Sequence, residues 1–417
     1  MVLLSGLYAV PVLSRVDLLV PECQSLVYQW LASHLEQMDI IDACRTDDRT
    51  AISRLKKQHL ELSGFALISC RLGSKQDRRI VDWLCEPSRA SLITSLAARE
   101  IDAFSQYGMG LAWLAENGRR AEVLNLVERS PVFAANDPSE WSLPKFLDTS
   151  YVLTILGLKP EIEAAKCSEY IINASNNICF LSEKKLYFLT HILFFQFGFG
   201  EAHWNRPTIS VKPCLYEKLI ISCLARNNLD GAMEVVLAQL ISGSELTKLG
   251  RTIIVAKIAK LINFGSLDVF FWGEPQRDYK KQFHPMIVAG ILLAVLEVRS
   301  QYWDADFSSI DARGLESCAA LGGVARALGQ HELEKAQAGL ALVDGEATCR
   351  LIGPETRESI ASDFDGLADL LASGDGDGAG FYVPEVLSGI PVDPKGRTVS
   401  QDWLNDRPWR SKLVIEV

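Results

Sequence analysis

The chain has 417 residues, 48% of them hydrophobic, a formal charge of −10 and ten cysteines. That is enough apolar material for a large core, and the length allows two or three domains or one repetitive body. The acidic balance, without clustered Lys and Arg, argues against nucleic acid and anionic membrane as partners, because both attract a basic surface.

The first twenty residues are apolar but lack a basic leader, and Arg15 and Asp17 interrupt them. They read as folded structure rather than a signal peptide. Apolar residues at helical spacing then mark 24–37, 50–68, 89–104, 109–116, 121–128, 144–149, 160–172, 183–195, 216–225, 231–241, 245–262, 285–298, 315–328, 333–343 and 355–371. The densest basic cluster, Arg54-Leu55-Lys56-Lys57, falls on the second of these as a solvated face. Pro144, Pro160 and Pro285 suit first helical positions, where the missing N–H costs nothing. The apolar run 287–298 is too short for a bilayer and fits a buried helix. The only candidate strands are 150–155 and 413–416, and the first equally extends the preceding helix.

Three connections share one form. Leu114-Ala115-Glu116-Asn117-Gly118, Leu224-Ala225-Arg226-Asn227-Asn228 and Ala325-Arg326-Ala327-Leu328-Gly329 each end a helix at a residue tolerant of left-handed φ, and a new helix follows. That is the signature of αα-hairpins, which stack into toroids, solenoids or bundles. After Gly374-Asp375-Gly376-Asp377-Gly378, four prolines between 381 and 417 predict an extended wrap anchored by Trp403 and Trp409. The Asp-Gly run is no EF-hand, since Ala379 replaces a ligand and Val386 stands at position 12. The expected fold is therefore all-α. It has an N-terminal helical region (1–90), a helical-hairpin body (91–372) built as an α/α toroid or irregular solenoid, and an irregular C-terminal wrap (373–417).

No C-x-x-C occurs, so reduced, buried thiols in a cytoplasmic protein are expected. Nor is there a G-x-G-x-x-G, a P-loop, an H-E-x-x-H or a G-x-S-x-G, which leaves those chemistries without support and any cofactor unknown. Six histidines remain. His34, His59 and His331 have polar neighbours and read as surface residues. His191 sits in an almost wholly apolar helix that Ser182 can cap, and burial there favours the neutral ring. His284 precedes Pro285, near an N-cap where the helix dipole disfavours a proton. Glu201, His203 and Trp204 follow a Gly-rich turn and could line a cavity mouth. Asp304 with Asp306, and Asp363 with Asp365, read as caps or solvated turns rather than metal sites.

Leu189-Thr190-His191, then Phe194-Phe195 and Phe199-Gly200, resembles the pattern L-T-H-x-x-F-Y-x-x-D-F-G of an uncharacterised family of helical proteins associated with bacterial natural-product gene clusters. Phe283-His284-Pro285 with Val288-Ala289 resembles a second stretch of that family. The resemblance implies a bacterial, cytosolic, helical protein serving a specialised-metabolite pathway, and it points at His191 and His284. Phe195 stands where the pattern has Tyr, and Gly198 where it has Asp, so an acid role would fall to another residue such as Glu201.

The resulting expectation is an enzyme or enzyme-like protein acting on a small or peptide-tethered metabolite. His191 is its acid/base or ligand, His284 a donor and Glu201 an acid. Tyr187, Thr190, Phe194, Phe195, His203 and Trp204 line the substrate cavity. The rival is a helical-repeat scaffold that binds a protein or peptide partner in an extended apolar groove. A metal held by His191, His203, His284 and Glu201 is a third, weaker expectation.

Overall fold

Helical periodicity becomes helix almost wherever it occurs. The computed structural model describes residues 16–39, 41, 49–99, 103–129, 143–158, 177–201, 211–263, 279–298, 311–330, 332–373 and 406–413. Among them there is no strand, and the fold is all-α. The helices run α1 (Val16–Ser33), α2 (Arg49–Arg71), α3 (Arg78–Leu84), α4 (Pro87–Arg99), α5 (Ala103–Leu114), α6 (Arg120–Arg129), α7 (Leu143–Ile155) and α8 (Glu183–Gln196). They continue as α9 (Pro213–Ala225), α10 (Leu229–Ile241), α11 (Lys248–Asn263), α12 (Tyr279–Val298), α13 (Ala312–Gly329), α14 (Leu333–Ala341), α15 (Gly345–Leu351), α16 (Pro354–Ser373) and the single turn α17 (Arg410–Leu413).

Six helices close a ring. α2 packs on α5, α5 on α7, α7 on α8, α8 on α10, α10 on α12, and α12 returns to α2. Outside this ring α1 covers α12, α4 covers α5, α9 covers α10, and α11 fills in between α1 and α10. Ring and outer helices thus alternate along much of the chain, as hairpins wrapped into a toroid would. Helices α13 to α16, with α17, form a second group on the outer side of α9. One continuous apolar cluster runs through both groups, from Val20 to Leu413.

Small residues set the closest approaches. A side chain at Gly290 would meet the Phe65 ring at 2.7 Å, so glycine lets α12 lie against α2. At Gly322 it would run into the Ile221 backbone, which fixes α13 on α9. Two of the expected hairpin turns carry left-handed residues, Gly118 (φ 90°) after α5 and Asn227 (φ 60°) after α9. Ser182 caps α8 by accepting from the Lys185 N–H at 3.2 Å.

Several expectations are corrected. The strand considered at 150–155 is the second half of α7. α12 begins at Tyr279, so Pro285 lies inside it rather than at its first position. The hydrogen bond that Pro285 cannot donate is outweighed by burial of Phe283 and Met286 on either side. His59 is 4% exposed rather than a surface residue. Its polar neighbours in sequence point along other faces of α2, while it faces Trp83 and Arg89. Asp363 and Asp365 are neither caps nor solvated turns but lie within α16. Asp363 pairs with Lys218 at 2.6 Å, and Asp365 accepts from the Trp409 indole at 2.9 Å. Trp409 is fully buried and stands edge-on to Phe364, so it anchors the tail onto α16. The expected helix 160–172, His331, Asp304, Asp306, Trp403 and the Asp-Gly run lie outside the described residues. No described helix is long and apolar enough to cross a membrane. The eight described cysteines are all free thiols.

Candidate functional site

The ring gathers its polar side chains in one place. α10 is apolar except for Asp230, Glu234 and Gln239. Asp230 and Glu234 are one turn apart and share a face. α12 sets His284 against that face. The His284 Nε2 lies 3.2 Å from Glu234 Oε1 and 3.4 Å from Asp230 Oδ2. Its Nδ1 lies 3.1 Å from Glu61 Oε1, on α2. From α8, the Thr190 hydroxyl donates to Glu234 Oε2 at 2.9 Å. Four of the six ring helices therefore meet on one imidazole–carboxylate cluster. Asp230, Glu234 and His284 each offer a donor atom, all mutually within 4.8 Å, and they are the described residues able to hold a cation together.

Burial disfavours charge on His284, but hydrogen bonds to Glu234 and Glu61 outweigh it and push the ring up to about 11. The expected neutral His284 is thus overturned. The ring sits in the second turn of α12, and carboxylates from two other helices decide its charge rather than its own helix dipole. Burial raises Asp230 to about 6, with His284 pulling it down and Glu234 pushing it up. At Glu234 burial is outweighed by the His284 hydrogen bond and by both neighbouring imidazoles, and its carboxyl stays below the ordinary range.

His191 stands beside this cluster on α8. Its ring lies against Tyr187, tilted by 34° with centroids 3.8 Å apart, and Nδ1 donates to the Tyr187 carbonyl at 2.9 Å. That bond fixes the tautomer and leaves Nε2 as the basic nitrogen. Burial lowers the His191 pKa against an opposing pull from Glu234, so the ring is neutral near pH 7. Tyr187 is 46% exposed, and desolvation of its hydroxyl with Glu234, Glu61 and Asp148 nearby pushes it up to about 12. Burial alone raises Asp148, on α7, to about 7. Phe194 and Phe195 are buried under His191, with ring centroids 5.6 and 6.4 Å away.

Glu201 belongs to a different network. It accepts from Arg71 at 2.7 Å and from the Tyr151 hydroxyl at 2.7 Å, and Arg71 also reaches Glu116 at 3.3 Å. The turn before it strings three left-handed residues together: Gly198 (φ 52°), Phe199 (φ 50°) and Gly200 (φ 84°). Packing of the Phe199 ring among Phe194, Phe195 and Tyr151 holds that strained non-glycine residue. Glu201 is thus engaged by Arg71 and Tyr151 rather than by His191, and the cation-capable group among the described residues does not include it. His203 and Trp204 lie outside the described residues.

The matched span decides the family. Residues 25–294 fit the family model described as a domain of unknown function, DUF6895. The chain belongs to the DUF6895 family. The DUF6895 span includes five ring helices whole and α12 as far as residue 294, together with every residue of the charged cluster, and ends before α13. No curated protein and no solved structure matches the chain.

Sequence reasoning pointed at His191, Thr190 and His284 but missed Glu61, Asp230 and Glu234. A signal was there: two acids at i and i+4 in an otherwise apolar helix must face something other than core. A separate cleft of about 1190 Å³ lies between α9, α11, α15 and α16. Its buried acid, Glu217, is engaged by the Gly353 N–H at 3.1 Å, and no residue of the His284 cluster lines it.

Proposed function

We propose that the DUF6895 ring is an enzyme-like binding site that performs acid/base chemistry on a small or peptide-tethered metabolite. In this reading His191 Nε2 is the base. Tyr187 and the Phe194–Phe195 wall seat the substrate, and the His284 cluster stabilises charge as it develops. The observation that carries the proposal is geometric: four ring helices meet on one imidazole–carboxylate cluster beside His191. Burial lowers the His191 pKa, and its Nδ1–H already donates to the Tyr187 carbonyl, so Nε2 is left as the basic nitrogen. The acidic excess around His284 favours a substrate bearing an amine or other cationic group. Service in a bacterial specialised-metabolite pathway, which the resemblance implies, fits such a substrate.

The scaffold reading draws less support. Among the described residues the only exposed large apolar side chains are Tyr187, Val298 and Leu342, which come from three different helices or helix ends. The test is a mass-spectrometric screen of the purified chain against amines, amino-acid esters and short peptides, run beside His191→Ala. Loss of turnover by at least about a hundredfold in a folded variant is expected. Unfolding of His191→Ala, or full retained turnover, sinks the acid/base assignment.

A further inference from the structure

The carboxylates around His284 are arranged in a way that a single proton does not satisfy. Nε2 offers one N–H, yet Glu234 Oε1 and Asp230 Oδ2 both converge on it, at 3.2 and 3.4 Å. One hydrogen cannot point straight at both. The other oxygen of Asp230, Oδ1, is buried with no hydrogen-bond partner. An orphaned carboxylate oxygen in a protein interior is costly and calls for a missing partner.

The geometry points to a divalent transition-metal site, with His284 Nε2, Asp230 and Glu234 as its protein ligands. Metal–ligand bonds of about 2.0–2.2 Å put neighbouring donors about 3.0–3.5 Å apart, which is the spacing of Nε2 from the two carboxylate oxygens. The ion takes the place of the Nε2 proton and draws on both carboxylates at once. The surrounding shell is that of a metal site as well. The His284 Nδ1–H donates to Glu61, which orients the ring and raises its basicity, and the Thr190 hydroxyl orients Glu234. One imidazole with two carboxylates suits Mn²⁺, Fe²⁺, Co²⁺ or Zn²⁺ better than Ca²⁺ or Mg²⁺, which prefer oxygen alone. Three protein ligands leave positions open for water or substrate, beside His191 and Tyr187.

This inference rests on the proposed working site and supplies its cofactor, but its test does not depend on turnover. The full chain, stripped with a chelator, is titrated with Mn²⁺ and the free ion followed by electron paramagnetic resonance. Co²⁺ titration, read by its visible absorption, reports a nitrogen ligand. One ion per chain is expected. Asp230→Asn and Glu234→Gln each weaken binding at least tenfold, Glu61→Gln weakens it about ten- to a hundredfold, and the distant Glu116→Gln leaves it unchanged. If Glu234→Gln fails to fold, Asp230→Asn carries the test, because Asp230 is only half-buried and asparagine keeps its shape. The proposal is overturned if the folded protein binds neither Mn²⁺, Co²⁺ nor Zn²⁺ saturably, or if binding survives the Asp230→Asn/Glu234→Gln double variant. Failure here leaves His191 as the base untouched. A His191→Ala variant that binds the ion normally yet keeps full turnover would sink the acid/base reading alone.

Discussion

Helix α2 carries two polar clusters, and they differ in one respect. At Arg71 a guanidinium meets Glu201 and Glu116, Arg120 reaches Glu116 at 4.0 Å, and Tyr151 completes Glu201, so charges and hydrogen bonds balance. Ten residues earlier, about 15 Å along the helix, Glu61 joins Asp230 and Glu234 around one imidazole, and even with the exposed Lys57 ammonium 3.6 Å from Glu61 acid is in excess. A balanced buried cluster holds the fold together. An unbalanced one costs stability and persists where something else is to be bound.

The sharpest way to break the comparison is Arg71→Ala. It strands a carboxylate, Glu201, that is only 4% exposed. A loss of about 3 kcal/mol or more is expected in denaturant unfolding, against a smaller one of about 1 kcal/mol for Glu61→Gln in metal-free protein, where the glutamine amide oxygen still accepts from His284. Equal effects would mean that both clusters are structural.

A second measurement concerns His59, half a turn before Glu61. Burial, with Arg89 adding, lowers this imidazole to about 4 from 6.5. The unfolded chain therefore binds the extra proton between those values. Stability is fully present above about pH 6.5 and falls as pH drops towards 4, by about 3 kcal/mol in total. His59→Gln should flatten that part of the stability–pH curve, and an unchanged slope would place the titration elsewhere.

Gly290→Ala acts on the α12–α2 contact. Its methyl group meets Phe65 and pushes α12 off α2, away from the Glu61–His284 contact. About 1–2 kcal/mol of destabilisation is expected, with cation binding weakened and the Arg71 knot unaffected. The smallest effect has the opposite sign. Asp230→Asn removes a carboxyl that burial has raised to about 6, so metal-free protein should gain about 1 kcal/mol. A clear loss would class Asp230 with the structural acids.

Much of the fold was legible because local chemistry decides it. Ser182 before an apolar run, Asn117-Gly118 and Asn227 after one, and apolar spacing through α9 and α10 act within a few residues. The misses arose where distant packing intervenes, as when burial of Phe283 and Met286 carries α12 through Pro285. The site was legible only in part. His191 and Thr190 stand out by lying in an apolar helix, but no spacing links Glu61 to His284, which are 223 positions apart.

The sequence by itself determined that this chain is helical, where most of its helices stop, and that polar groups on apolar faces of α8 and α10 need partners. Only the tertiary structure decided which partners these are. Closure of the ring gave Glu201 to Arg71 and brought three carboxylates to His284, so that imidazole holds a proton that its own helix would disfavour. Charge state is a property of everything within a few ångströms of a group, and in a ring of helices those neighbours come from every part of the chain.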